Sequence, residues 1–187
     1  MKKLFLFAFA AAVIAACSGE AEKQAPSQKE LKTKITKIND SLQVLYKNTM
    51  EQSDFRFPKE ILDTAIALHL EYYRYYPKNA YAAECLDKVQ QLYIQKKEYV
   101  LALKYTDTLL VKYPNYPNRA TLLLNAGSTG EITQNKEVIR KYYTQLLEEF
   151  PNINAETKEM VEFRLAHLNL SFDELVELRI KEASEEN

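Results

Sequence analysis

EYYRYYP at residues 71–77, TLLVKYP at 108–114 and QLLEEFP at 145–151 are the segments that decide the fold. Each ends in an aromatic residue followed by proline, and Pro77, Pro114 and Pro151 recur at an interval of 37 residues. Proline lacks the N–H that would continue a helix and drives the residue before it out of the α region, so each pair marks a helix end. Upstream, the same offset aligns Ala65 with Ala102 and Ile139, Leu68 with Tyr105 and Tyr142, and Tyr72-Tyr73 with Leu109-Leu110 and Leu146-Leu147. Downstream it aligns Ala83, Ala120 and Thr157, then Leu86, Leu123 and Met160, then Val89, Ala126 and Phe163. Apolar residues three and four apart on both sides of each proline predict helix, turn, helix, and an all-α chain. Such a unit cannot bury its apolar face alone, so three of them over residues 58–170 are expected to stack as a solenoid.

Before the repeats, residues 31–57 are expected to form an amphipathic helix and a loop. Leu31, Ile35, Ile38, Leu42 and Leu45 are spaced 4-3-4-3 and share one helical stripe. The stripe packs on its own domain or oligomerises the chain as a coiled coil. Two heptads fall short of the three or four a coiled coil needs, which favours a monomer. The loop Glu51 to Phe57 leads into Pro58, which suits the first turn of the next helix. After the repeats, Ser171-Phe172-Asp173-Glu174 has the form of a capping box opening a last helix. Residues 171–187 then close the array, with Phe172, Leu175 and Leu178 turned inward.

The N-terminus has a different character. Lys2 and Lys3 precede an unbroken apolar run from Leu4 to Ile14, the length of a signal-peptide core and too short to span a bilayer. Ile14-Ala15-Ala16-Cys17 resembles a bacterial lipobox, which implies removal of residues 1–16 and acylation of Cys17; an ordinary secretory signal with a nearby cysteine is the alternative. Ser18 after the cysteine resembles the outer-membrane default. Two or three acyl chains, at about 0.8 kcal/mol per buried methylene, would make attachment effectively permanent. Residues 17–30, ending SGEAEKQAPSQKE, read as a lipidated flexible tether.

The chain has 187 residues, 25 basic and 26 acidic groups, three Gly, two His and two Cys. A net charge of −1 provides no field for holding nucleic acid by counterion release. Losing residues 1–16 removes two lysines and no acid, giving −3, so a basic patch is not the means of membrane attachment. Cys85 has no intrachain partner once Cys17 is acylated and reads as a small core residue.

The unit resembles the tetratricopeptide repeat, whose usual length is about 34 residues. From Ala83 to Tyr116, Leu86, Val89, Tyr93, Ala102 and Pro114 match the family's pattern; from Ala120 to Ile153, Leu123, Ala126, Gly127 and Pro151 do. Gln90 stands where the family has glycine, Gly130 where it has tyrosine, and Leu109 and Leu146 where it has a small residue. The resemblance implies that Gly127 permits a close helix approach and that first helices line a concave face. It nominates Glu84, Asp87, Gln91 and Ile94, then Thr121, Leu124, Ser128 and Glu131, as a groove for a protein or peptide with basic and apolar groups. Tyr75 aligns with the charged Lys112 and Glu149, so it is expected to face solvent beside Arg74 as an interface anchor.

Little in the sequence points to chemistry, and no cofactor or metal is implied. His69 and His167 lie 98 residues apart in no ligand-spaced cluster. Glu148-Glu149 and Glu185-Glu186 read as solvated faces, and Gly127-Ser128-Thr129-Gly130 lacks the lysine and preceding strand of a phosphate loop. A repeat array on a lipobox-bearing chain is similar to the outer-membrane lipoproteins of the barrel-assembly machinery and the periplasmic coordinators of envelope constriction. That similarity implies a non-catalytic scaffold on the outer membrane, on its periplasmic face or, as the alternative, on the cell surface. The alternatives are an oligomeric structural lipoprotein built through the Leu31–Leu45 stripe, and a subunit of an enzyme whose active site lies in a partner.

Overall fold

The computed structural model describes residues 25–49 and 57–185. The signal segment, Cys17, most of the tether, the loop up to Arg56 and the last two residues lie outside them. The described residues form eight α-helices and no strand: α1 (Gln28–Thr49), α2 (Lys59–Tyr75), α3 (Ala80–Gln95), α4 (Tyr99–Lys112), α5 (Arg119–Ile132), α6 (Lys136–Glu149), α7 (Ala155–Ala166) and α8 (Phe172–Glu185). None of these helices is long and apolar enough to cross a membrane.

The aromatic–proline pairs end α2, α4 and α6. Tyr76, Tyr113 and Phe150 are the C-caps, and each N–H donates to the carbonyl four residues back, Tyr72, Leu109 and Leu146 respectively. The other helix ends repeat too. Lys97 after α3 and Gln134 after α5, 37 residues apart, both take left-handed backbone, with φ of 60° and 53°. Each ends its helix with a bond spanning five residues, Glu98 N–H to Tyr93 carbonyl and Asn135 N–H to Gly130 carbonyl. Asn79, Asn135 and Asn154 cap the starts of α3, α6 and α7 with their side chains.

From α1 to α7 each helix packs on the next, most extensively α3 on α4 and α5 on α6. Alternate helices also touch: Lys141 and the Tyr142 hydroxyl on α6 reach Asp107 on α4, at 2.6 and 2.9 Å. Equivalent repeat positions are buried alike. Tyr72, Leu109 and Leu146 are sealed, as are Ala65, Ala102 and Ile139, and the polar set His69, Thr106 and Tyr143. The correspondence weakens in the last unit. Met160 is 44% exposed where Leu86 and Leu123 are fully buried, because α7 has no further unit covering it.

The N-terminal stripe is spent inside the chain. Leu31, Ile35 and Leu42 are buried against residues of α2 and α3, which takes the seam a coiled coil would need. The helix starts earlier than the spacing suggests, at Gln28, because Ser27 caps it by accepting the Glu30 N–H at 3.1 Å; residues 28–30 therefore belong to α1 and not to the tether. Pro58 sits one place earlier than expected, as the N-cap of α2. The capping box at Ser171 is formed: Glu174 accepts the Ser171 N–H at 2.7 Å and the Ser171 hydroxyl accepts the Glu174 N–H at 3.3 Å. Leu175 is buried and Leu178 partly so; the Phe172 side chain lies outside the described residues.

Gly127 and Gly130 set the α5–α6 approach. A Cβ at Gly127 would collide with the Tyr143 ring, and one at Gly130 would lie 2.8 Å from the backbone nitrogen of Ile139. The ring can be trimmed by mutation but the backbone cannot. Gly127→Ala is expected to lose about 1–3 kcal/mol of stability by overpacking, read as a lower urea midpoint, and Tyr143→Leu in the same chain to recover part of it. Gly130→Ala should be equally harmful and not recovered by Tyr143→Leu.

Candidate functional site

The outward surface of α3 is the centre of the site, and the packing of α1 beside it creates a cleft of about 480 Å³. Asn39, Asp40, Gln43 and Tyr46 of α1 form one wall, Tyr81, Glu84, Lys88 and Gln95 of α3 the other, with Leu42, Leu92 and Cys85 apolar within it. His69 of α2 lies at its base, 2% exposed. Its Nδ1–H donates to the Ala65 carbonyl at 2.7 Å, which leaves Nε2 as an acceptor facing the Asn39 amide 3.5 Å away. That contact is long, and Asn39 Oδ1 is buried with no partner among the described residues; a buried acceptor left unmade costs about 1–3 kcal/mol. Asp40, Glu84 and Lys88 in the cleft walls form none of the ion pairs found among the described residues, such as Lys96 with Asp63 at 2.6 Å.

A second cleft of about 520 Å³ lies across α3, between its first turn and the α4–α5 turn. Tyr113, Pro114, Tyr116 and Pro117 face Ala80, Ala83 and Glu84 across it. Both rings are pinned by their hydroxyls, Tyr113 to the Pro77 carbonyl at 2.5 Å and Tyr116 to Asp87 at 2.7 Å. Glu84 lines both clefts and so forms the ridge between them.

The sequence-nominated residues divide on this geometry. Glu84, Gln91 and Thr121 are exposed. Asp87 is engaged within the fold, accepting from Gln90, Gln91 and Tyr116. Glu131 likewise accepts the Tyr143 hydroxyl at 2.8 Å and lies 3.8 Å from Arg164, while Ser128 meets the Tyr143 hydroxyl at 3.4 Å. Ile94 and Leu124 are half-buried, Leu124 against the main core. Tyr75 departs from its expected solvent exposure. It is half-buried at the start of α1, packed on Tyr76 and under the Arg74 guanidinium at 4.7 Å, because α1 covers a position that Lys112 and Glu149 leave open in the later units. Glu149 is not simply solvated either: it holds Arg119 through two oxygens. Cys17 lies outside the described residues.

Asn39, Lys88 and Tyr116 were not singled out by sequence, and Tyr113 only as the aromatic residue before a helix-ending proline. His167 caps the end of α7, its Nδ1 2.8 Å from the Phe163 carbonyl. Gly127 to Gly130 lie within α5, not in a loop. Cys85 is sealed, and burial pushes its thiol up to about 12. Among the described residues no group of three or more His, Cys, Asp or Glu is placed to hold a metal. No protein-family model, curated protein or solved structure matches the chain.

Burial holds the His69 pKa below its ordinary 6.5, the Ala65 carbonyl opposing and Lys88 adding to the depression. The unfolded chain therefore binds this proton more readily than the folded one. The contribution of His69 to stability is fully present above about pH 6.5 and is lost as pH falls through the folded value. The urea midpoint should drop between about pH 7.5 and about pH 5, and His69→Gln should be less stable at the higher pH but flatter between the two.

Proposed function

We propose that the chain is a tetratricopeptide-like lipoprotein, anchored through acylated Cys17 to the periplasmic or outer face of a bacterial outer membrane, that serves as a non-catalytic adaptor in envelope assembly. The observation that carries the reading is the agreement of burial with the 37-residue register: Tyr72, Leu109 and Leu146 are each completely sealed. In this reading α3, α5 and α7 are first helices and α2, α4 and α6 second ones, and α1 packs beside α3 on the side the first helices line, so the α1–α3 cleft opens on the concave side.

The surface chemistry supports a partner and not a reaction. Glu84 stands exposed between two clefts, one holding Asp40 and Lys88, which join no ion pair among the described residues, the other walled by fixed tyrosines and prolines. Rigid aromatic walls beside unpaired charge suit a peptide with apolar and basic groups, since the rings lose little entropy on contact and the carboxylates select sign. The burial of Leu31 and Ile35 within the chain favours the adaptor over the oligomeric alternative.

A photocrosslinking residue at Glu84 or Gln91, introduced in cells that express the full chain, is expected to capture one protein repeatedly. The same residue at Val100, 82% exposed on α4, should not. Equal capture at all three positions, or none at Glu84 and Gln91, would refute the groove.

A further inference from the structure

The three aromatic–proline turns lie along one edge of the molecule, and the chain leaves for its anchor from that same edge. The hydroxyl of Tyr76 donates to the Pro26 carbonyl at 2.6 Å, and Asn79 reaches Gln28 at 3.3 Å, so the start of α1 is fixed against the α2–α3 turn. Tyr113 donates to the Pro77 carbonyl at 2.5 Å, which joins the α4–α5 turn to the α2–α3 turn. Arg119 at the start of α5 grips Glu149 at the end of α6, which brings in the third turn. We propose that this edge rests against the headgroup region of the bilayer, and that the array stands on the membrane with its aromatic–proline turns down and its Lys97 and Gln134 turns away.

Length decides between the two edges. Nine peptide steps lead from Cys17 to Pro26, at most about 32 Å of chain in any conformation. The other edge lies at the far end of α1, whose 22 residues span about 33 Å. Bringing that edge to the bilayer would consume the whole tether merely in running back along α1. Composition agrees with length. Tyr75, Tyr76, Tyr113 and Tyr116 are half-buried at the near edge beside exposed prolines, and tyrosine, with an apolar ring and a polar tip, is the type of side chain that settles at a membrane interface. Arg74, Lys78 and Lys112 are exposed at this edge together with Glu148 and Glu149, so both signs of charge are present beside the rings and the contact is an interfacial one.

The inference rests on the anchor at Cys17, and its test is arranged so that the two fail separately. The chain from Cys17 onward, which contains every described residue, is coupled by that thiol to a maleimide phospholipid in phosphatidylethanolamine–phosphatidylglycerol vesicles; sealed Cys85 does not compete. An environment-sensitive fluorophore is attached through an azido amino acid at Asn115 in one sample and at Lys97 in another, both exposed, and nitroxide-headgroup lipid is added. Fluorescence should be lost at position 115 and kept at 97. Equal loss at the two positions, or greater loss at 97, overturns the proposed orientation. Acylation itself is read independently, by palmitate-analogue labelling of cells that disappears with Cys17→Ala. Absence of that labelling would remove the natural anchor and with it the biological orientation, even if the vesicle experiment gave the expected asymmetry.

Discussion

An aromatic residue locked in front of a proline, once in every 37 residues, is the constraint on which the rest of the structure depends. It stops α2, α4 and α6 at equivalent places, and in two of the three turns it also ties the turn to an earlier segment of the chain. Tyr76 donates its hydroxyl to the carbonyl of Pro26 and Tyr113 donates to that of Pro77. The acceptor is a proline carbonyl in both cases. A turn that both ends a helix and binds its neighbour fixes the spacing of successive units, and that spacing lets Tyr72, Leu109 and Leu146 enter the core at matching depth.

The exposed chemistry follows from this regularity and from where it is broken. In the later units, first-helix carboxylates are used internally, Asp87 by Tyr116 and Glu131 by Tyr143. At the N-terminal end the neighbouring element is α1, which belongs to no aromatic–proline unit. Its fit against α3 leaves a cleft in which, among the described residues, Asp40, Glu84 and Lys88 join no ion pair, the Asn39–His69 contact is long and a buried amide oxygen has no partner. Among the described residues the molecule is least self-satisfied where the repeat meets an irregular neighbour, which is a physical reason for the proposed partner contact to lie there.

Much of the architecture was legible in the sequence because proline position and apolar spacing are local signals. They marked the helix ends at Tyr76, Tyr113 and Phe150, the inward stripe of α1 and the capping box at Ser171. The site was less legible. Asp87 and Ser128 occupy outward helical positions, but their bonds depend on Tyr116 and Tyr143, which arrive from other elements. Tyr75 was misread as solvent-facing because alignment with Lys112 and Glu149 contains no information about α1 lying over the first unit. The close approach at Gly130 was hidden in the same way: its neighbour, the Ile139 backbone, is set by tertiary packing.

The third turn supplies the most direct measurement of whether the units repeat one geometry. Phe150 occupies the register position of Tyr76 and Tyr113 but has no hydroxyl, and Pro114 stands to it as Pro77 stands to Tyr113. If the turns are equivalent, Phe150→Tyr places a hydroxyl against the Pro114 carbonyl and adds one hydrogen bond, about 0.5–1.5 kcal/mol. The urea unfolding midpoint of that single variant should rise with unchanged slope; an unchanged or lowered midpoint would contradict a common geometry for the three units.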